Sequence, residues 1–266
     1  MIAEQTLRDG RVEEALAELQ VEVRKAPDNA EYRVFLFQLL CVLGDWERAR
    51  AQLKVLGELN PGALPLVHVY GTAITCELLR AEVFSGARTP LILGEPLPWM
   101  ALLLQGLSEA AQGRGAAAAA ALRAEALEKA QAVPGTIDGE AFDWIGDADS
   151  RLGPVCEAVI DGRYYWVPFE RLRSVALEAP SDLRDVVWMP AQLRLANGGE
   201  TAALIPARYP GSERDGDNRI RLSRKTEWDE VAPNTFHGRG QRMFATSAAE
   251  YALLSTRRIE LGGPEA

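Results

Sequence analysis

The stretch Gly10–Pro27 has the sequence GRVEEALAELQVEVRKAP, and Gly44–Pro61 has the sequence GDWERARAQLKVLGELNP. They match at an offset of 34 residues, with Gly10, Glu13, Ala15, Leu19 and Pro27 recurring as Gly44, Glu47, Ala49, Leu53 and Pro61. A period of 34 residues is typical of the tetratricopeptide repeat, a pair of packed helices. Glycine permits the tight turn inside each pair, alanine lets the helices approach, leucine fills their seam, and proline ends the second helix. The sequence therefore predicts stacked helical repeats, which leave a groove suited to holding another protein.

The first helix of each repeat lines the concave side, so the repeat register also predicts the groove. Counted from Pro27 and Pro61, its candidate residues are Glu31, Val34, Gln38 and Cys41 in one unit and Pro65, His68, Thr72 and Thr75 in the next. This mixed polar and apolar lining suits an amphipathic helix laid across it. The alternative is that the second half of the chain packs into the groove and fills it.

Helical periodicity continues beyond the two repeats. It runs through Leu66–Phe84, stops at the proline-rich segment Ser85–Pro98, and resumes in Trp99–Ala111 and Ala116–Ala130. The last two segments form a further helix pair with Gly113 at the turn. Gly113-x-Gly115 superficially matches a dinucleotide fingerprint, but that motif follows a strand and here a helix precedes it. We therefore predict no bound cofactor.

After Val133-Pro134-Gly135 the pattern changes to short strands. Asp161-Gly162 and Asn197-Gly198 are hairpin turns, and they join Val155–Ile160 to Arg163–Val167 and Val186–Leu195 to Thr201–Ile205. Further strands are predicted at Ile220–Leu222 and Arg242–Ala245, and helical turns at Phe169–Val175 and Thr246–Leu254. We predict an α+β fold: a tetratricopeptide-like helical domain, residues 1–134, followed by a small, barrel-like β-rich domain, residues 135–266.

Composition and charge limit the function classes. The net charge is −9 and the pI is about 5.0, which argues against nucleic-acid binding because that needs a clustered basic face. The three cysteines, Cys41, Cys76 and Cys156, lie among apolar neighbours, as buried thiols do in a reducing compartment. The polar segment Met1–Gly10 is no signal peptide, and no apolar run approaches the roughly 18 residues of a membrane span. We expect a cytoplasmic protein without membrane contact.

The best candidate for chemistry is an acidic cluster consisting of Asp138, Glu140, Asp143, Asp147 and Asp149. Oxygen ligands of this kind suit Ca²⁺ or Mg²⁺, so a metal-dependent or hydrolytic enzyme that also uses Tyr164 or Arg208 is the alternative function. The spacing lacks the pattern of a calcium loop, and carboxylates that cap amides or meet arginines explain it as well. We favour that structural interpretation and predict no metal site.

Other chemistries have weaker support. The chain has two histidines, His68 and His237, no CxxC spacing and no G-x-S-x-G elbow, which argues against zinc and against a serine hydrolase. Aromatic residues cluster in the second half, where they form either a ligand cradle or the core of a small barrel: Tyr164, Tyr165, Trp166 and Trp188. At strand spacing we favour the core.

Several long blocks carry a family resemblance. The most specific is Phe142–Pro154, FDWIGDADSRLGP, and it is followed in order by GRYYWVP at 162–168, DLRDVVW at 182–188, NGGE at 197–200, LIPARYPGS at 204–212 and GQRM at 240–243. With these blocks, which extend the likeness over nearly the whole chain, the sequence resembles the ImpE/TagJ (SciE-type) family of bacterial type VI secretion.

The resemblance implies a cytoplasmic, non-enzymatic adaptor. Members of that family are associated with the contractile sheath, where they bind an amino-terminal helical segment of the small sheath subunit. They are also associated with the AAA+ ATPase that disassembles the sheath. The resemblance supplies no catalytic residue, metal or cofactor. It therefore agrees with the groove predicted from the repeats.

Overall fold

The computed structural model describes residues 1–113 and 115–262. Within these residues the helices are α1 (Ile2–Arg8), α2 (Val12–Lys25), α3 (Ala30–Val42), α4 (Trp46–Leu59), α5 (Leu64–Phe84), α6 (Pro98–Ala111), α7 (Ala116–Lys129) and the short α8 (Asn218–Arg221). The first seven come before the strand-rich half, as the helical periodicity predicts. Each inter-helix seam of the two repeats is apolar, since Leu19 and Leu53 are almost completely buried.

The glycines that mark the repeat close the turns between paired helices. Gly10 and Gly44 have φ of 83° and 69°, in the left-handed region. Their N–H groups donate to Leu7 O at 2.9 Å and Cys41 O at 3.1 Å, which satisfies carbonyls at the end of each first helix. Gly113 has φ of 67° and also follows a helix, so its role as a helix turn is confirmed. Residue 114, inside the Gly113-x-Gly115 motif, lies outside the described residues.

The second half is dominated by strands. The strands are β1 (Leu91–Ile92), β2 (Gly135–Ile137), β3 (Glu140–Phe142), β4 (Ile145–Asp147), β5 (Val155–Ile160), β6 (Arg163–Pro168), β7 (Leu172–Leu177), β8 (Trp188–Leu195), β9 (Glu200–Pro206), β10 (Thr226–Ala232), β11 (Thr235–Gly240), β12 (Met243–Thr246), β13 (Glu250–Ala252) and β14 (Arg258–Leu261). Helices followed by a strand-rich region confirm the α+β class.

The main sheet has nine strands in the order β1-β6-β5-β9-β8-β7-β14-β2-β3. Neighbours are antiparallel except β1 and β6, which are parallel. The two ends of the sheet, β1 and β3, are separate edges, so the sheet is open and does not close as the barrel-like shape we expected. Both predicted hairpins are present, β5–β6 around Asp161-Gly162 and β8–β9 around Asn197-Gly198.

Some local predictions are wrong. Ile220–Leu222 is not a strand, because the Asp217 carboxylate accepts from Arg219 N–H and starts α8 instead. Of the helical turn predicted at 169–175, the first three residues form a 3₁₀ turn and the rest is β7. The segment 246–254 likewise contains β13 before a single 3₁₀ turn.

The strand β1 lies in the helical half of the sequence but belongs to the main sheet, where Leu91 and Ile92 pair with Tyr165 and Trp166. The helix α7 ends at Lys129 and β2 begins at Gly135, close to the predicted boundary. The division into residues 1–134 and 135–266 stays a prediction. Residues 263–266 of the second predicted domain lie outside the described part of the chain.

The main sheet has one core on each face. Along β8 the side chains alternate: Met189, Ala191 and Leu193 enter the core formed with the other strands, whereas Trp188 faces the helices. On the helical face, α3 and α5 cover β5, β6 and the beginning of β8. The outer part of that face, on β7–β9, has no helix of the described chain upon it.

The helix α5 differs from one expectation. With its preceding 3₁₀ turn, Pro61–Phe84 is long and apolar enough to cross a membrane by length and composition, and it is the single such segment among the described residues. We had expected no run of that length. Here, however, the helix packs against the sheet, burying Tyr70, Ile74 and the charged Arg80. About a fifth of this apolar segment, 22%, is buried inside the protein, so α5 has one face on the sheet and one face exposed.

Candidate docking surfaces

The carboxyl end of α3 is held by the second half of the chain. Arg208 is 3% exposed, and it donates to the carbonyls of Val42 at 2.6 Å and Cys41 at 2.7 Å. Both carbonyls lie at the helix end, where a guanidinium is well placed to bond to them, although the Cys41 carbonyl also accepts from Gly44 N–H. Cys41, predicted to line the groove, is therefore completely buried.

The space between α3 and α5 is filled by aromatic side chains. Trp188 is fully buried, and its ring lies 5.9 Å from that of Trp46 and 5.8 Å from that of Tyr70. The guanidinium of Arg184 lies 4.8 Å above the Tyr70 ring. The chain's own segment 182–188 thus occupies the middle of the predicted groove. Trp188, like Tyr164 and Trp166, is a core residue and does not form a ligand cradle.

A buried ionic network joins α5 to the strands. Glu157 on β5 accepts from Arg80 Nε at 2.7 Å and Nη2 at 2.9 Å, and it also accepts from Arg242 and the Tyr164 hydroxyl. Arg242 forms a second ion pair with Asp147. The Arg80 guanidinium further donates to Arg208 O at 3.0 Å. These contacts span the two halves of the sequence, so they fix the orientation of α5 on the sheet.

The pKa values in this network follow from burial and the two guanidinium groups. Burial alone would raise the pKa of Glu157, but Arg80 and Arg242 lower it to about 2. Burial raises the pKa of Asp147 to about 7, against the attraction of Arg242. Both carboxylates are buried and bonded to arginine side chains within the core. The network is consequently a structural element.

The acidic cluster is divided among structural contacts. Asp138 accepts from the backbone N–H groups of Arg257 at 2.9 Å and Arg258 at 2.8 Å. Asp149 accepts from Gly238 N–H at 2.7 Å and pairs with Arg151. Within the described residues, no group of three or more His, Cys, Asp or Glu side chains is arranged to hold a metal ion. Asp138, Asp147 and Asp149 cap amides or meet arginines, as the structural interpretation predicts, whereas Glu140 accepts from the Tyr251 hydroxyl at 2.6 Å.

The predicted groove residues separate into two surfaces. Glu31, Val34 and Gln38 line a cavity of about 370 Å³, which we call the α3 cavity. His68 and Thr72 line another cavity of about 560 Å³ between α5 and the sheet, which we call the α5 trough. Thr75 lines neither, because its hydroxyl bonds to Arg50 on α4 at 3.1 Å. The six candidate residues therefore do not form one continuous groove.

The α5 trough lies where the helical layer on the sheet ends. One wall is the exposed face of α5, with His68, Val69 and Thr72. The floor is the outward face of β7–β9, where Ala176, Pro190, Gln192, Ala202 and Leu204 are adjacent across the strands. Ala176, Pro190 and Ala202 are small enough to leave room for the backbone of another helix. Val69 is 42% exposed, so the wall that α5 contributes to the trough is partly apolar.

Sequence reasoning missed the sheet side of the trough. The sequence signal for this surface is the alternation along β7–β9. Small residues occupy the outward positions, where a sheet face that is exposed to solvent ordinarily carries charged residues. Ala176 and Ala202 are each opposite Gln192 in the strand register. The sequence alone did not show that β7, β8 and β9 would meet beside the first half of α5.

Tetratricopeptide-like helical repeats joined to an open, mostly antiparallel sheet define the class of protein by its fold. Residues 139–260 match the family model described as ImpE protein, and residues 6–68 match a tetratricopeptide repeat model. The type VI secretion system accessory component TagJ of Pseudomonas aeruginosa is 56% identical over 261 residues, covering 98% of this chain and 91% of that protein. The chain belongs to the ImpE/TagJ family.

A solved structure has the same fold. The crystal structure of protein VPA1032 from Vibrio parahaemolyticus superimposes with a TM-score of 0.89, covering 99% of this chain and 98% of that one at 23% sequence identity. The helical repeats and the open sheet are therefore arranged similarly in the two proteins. The resemblance that the sequence blocks indicated is confirmed at the level of the family.

Proposed function

We propose that this chain is a non-enzymatic accessory protein of a bacterial type VI secretion system, acting in the cytoplasm. It binds a helical segment of the small sheath subunit, and its second partner is the AAA+ ATPase that disassembles the sheath. The identity of 56% to a type VI secretion accessory component over nearly the whole chain supports the accessory role. The tetratricopeptide repeats support a role in binding proteins.

The observation that supports helix binding is the α5 trough. A sheet face beside a helix is normally covered by the next helix of the layer, yet β7–β9 are uncovered next to α5. The trough has a mainly apolar floor and two acidic residues at its rim, Asp161 and Glu178. An amphipathic helix seated here would extend the helical layer, burying its apolar face on Val69 and Ala202. Basic residues along its edge would meet the rim.

The trough retains only part of the predicted site. His68 and Thr72 remain candidate partner-binding residues, and they act together with the small residues of the sheet. The affinity of such a contact is moderate, because the apolar area buried on binding, at about 25 cal/mol per Å², is offset by the cost of association. Moderate affinity suits a partner that assembles and disassembles.

Isothermal titration calorimetry with a synthetic peptide of the small sheath subunit's amino-terminal helix tests the proposal. Ala202→Arg places a long charged side chain on the trough floor at an exposed position, and we expect it to weaken binding at least about tenfold by steric exclusion. Ala51→Arg, an equally exposed alanine on the outer side of α4, is the matched control and leaves binding unchanged. Equal affinities for the two folded variants would show that the peptide does not bind in the trough.

A further inference from the structure

The α3 cavity has a lining distinct from that of the α5 trough. Its floor is apolar, formed by Val34, Phe35 and Leu56. Its volume of about 370 Å³ is near the lower end of the roughly 300–1,000 Å³ range of ligand pockets. A space of this size accepts two or three side chains of a bound segment, and it is too small for the full width of a helix.

Gln38 gives this cavity an unpaired polar group. The residue is 5% exposed and lines the cavity, and its side-chain amide makes no hydrogen bond to any residue that the structure describes. The amide is not among the described side-chain polar groups that are fully buried without a partner, so it faces the solvent of the cavity and is available to a bound segment. The amide has both a donor and an acceptor, the pair that a peptide backbone complements with its C=O and N–H.

The charge around the cavity is negative. Its lining includes three carboxylates, those of Glu4, Glu31 and Asp182. No lysine or arginine of the described chain lines it. Glu4 is paired with the terminal ammonium of Met1 at 3.0 Å, and Asp182 with Arg184 at 3.4 Å. No described cation lies within ion-pair distance of Glu31, which leaves one carboxylate at the mouth without a counter-charge.

We propose that the α3 cavity binds a short, extended segment of a partner protein that carries a lysine or arginine beside an aliphatic side chain. The Gln38 amide bonds to the segment's backbone, Glu31 attracts the cation, and the aliphatic side chain lies on Val34 and Leu56. This site is separate from the α5 trough. The protein therefore has two docking surfaces that differ in the kind of segment they accept.

The test is an NMR titration of the full chain with acetyl-Leu-Arg-Leu-amide and, for comparison, acetyl-Leu-Glu-Leu-amide. The arginine peptide is expected to shift the Gln38 side-chain amide signals to saturation, and the glutamate peptide is not. Glu31→Gln lowers the affinity by about fivefold, because one opposed charge is lost at an exposed site. Gln38→Leu lowers it by about tenfold.

Two comparisons separate binding from folding. Gln38→Leu replaces an amide that faces the cavity and bonds to no described residue, so its melting temperature is expected to stay close to the native value although its binding falls. A merely structural role would lower both together. Glu47→Gln changes the net charge equally on the exposed side of α4 and leaves the affinity unchanged. Equal binding of the two peptides, or equal affinities for Glu31→Gln and Glu47→Gln, would overturn the proposal.

Discussion

Glu157→Gln removes the carboxylate that two buried arginines share. In the native protein Arg80 Nε and Nη2 lie 2.7 and 2.9 Å from this carboxylate, and Arg242 also donates to it. The substitution keeps the shape of the side chain but takes away the carboxylate that the two guanidinium groups share. Breaking a buried ion pair from one side costs about 3–5 kcal/mol.

The remaining contacts place the expected loss at the lower end of that range. Arg242 keeps its ion pair with Asp147, and Arg80 keeps Glu77 at 3.4 Å and the carbonyl of Arg208 at 3.0 Å. We expect the free energy of unfolding to fall by about 3 kcal/mol and the melting temperature by roughly 6–12 °C.

Urea unfolding followed by tryptophan fluorescence measures this loss, because Trp166 and Trp188 are buried beside the network. Glu47→Gln, an exposed residue on α4, is the control and changes stability by less than about 0.5 kcal/mol. Adding Arg80→Met to Glu157→Gln removes one of these two guanidinium groups as well, so the double variant is expected to lose less than the sum of the single variants. A Glu157→Gln protein within about 1 kcal/mol of the native stability would refute this account.

Three further results are expected. Burial and the nearby Arg151 guanidinium lower the pKa of His237 from 6.5 to about 4, so the unfolded chain takes up a proton on this imidazole at a higher pH than the folded chain does. The free energy of unfolding therefore falls by about 1–2 kcal/mol as the pH drops from 6.5 to 4. Unfolding measured at several pH values is expected to lose this pH dependence in His237→Asn. Gly44→Ala is expected to lose about 1–2 kcal/mol of stability, because φ is 69° and the new Cβ would meet the Glu213 side chain. Gly71→Ala, inside α5 with nothing within 4 Å of the new Cβ, is expected to gain up to about 1 kcal/mol, and thermal melts of both variants check this difference in sign. The three cysteines are free and buried, so Ellman's reagent reacts only after denaturant is added.

The sequence predicts the repeats and both hairpins well because each depends on local chemistry. Gly10 and Gly44 sit in a conformation that glycine adopts readily, and Asp161-Gly162 is a turn with positive φ at both residues. The apolar run Val155–Ile160, which is buried at every position, and the strand that follows the turn complete the hairpin. No distant contact is needed to recognise these elements.

The hairpin β10–β11 shows what local chemistry does not predict. Its first strand has the sequence TEWDEVA, whose acidic residues do not alternate with apolar ones. Arg239 on the opposite strand pairs with Glu227 at 3.0 Å and Asp229 at 2.9 Å. Cross-strand ion pairs stabilise this hairpin, and they are not visible until the register is known.

The candidate site was predicted only in part for a similar reason. The repeat register places Glu31, Gln38 and His68 on the first helices of their pairs. In the structure they do lie on those helices, α3 and α5. It does not reveal that Trp188 and Arg208, more than a hundred residues later in the sequence, pack against those helices. Packing between residues that are far apart in the sequence therefore determines which parts of the predicted groove stay open.

The parallel pairing of Leu91–Ile92 with Tyr165–Trp166 has a practical consequence for anyone who truncates this protein. A fragment starting near residue 135 would lack the strand Leu91–Ile92, so Arg163–Pro168 would become an edge strand of the sheet. The unpaired backbone N–H and C=O groups of that edge could then pair with another chain and cause association. It would also leave Glu157 without Arg80. Fragments cut at the obvious junction are therefore poor reagents, and partner mapping is better done by point substitution in the intact polypeptide.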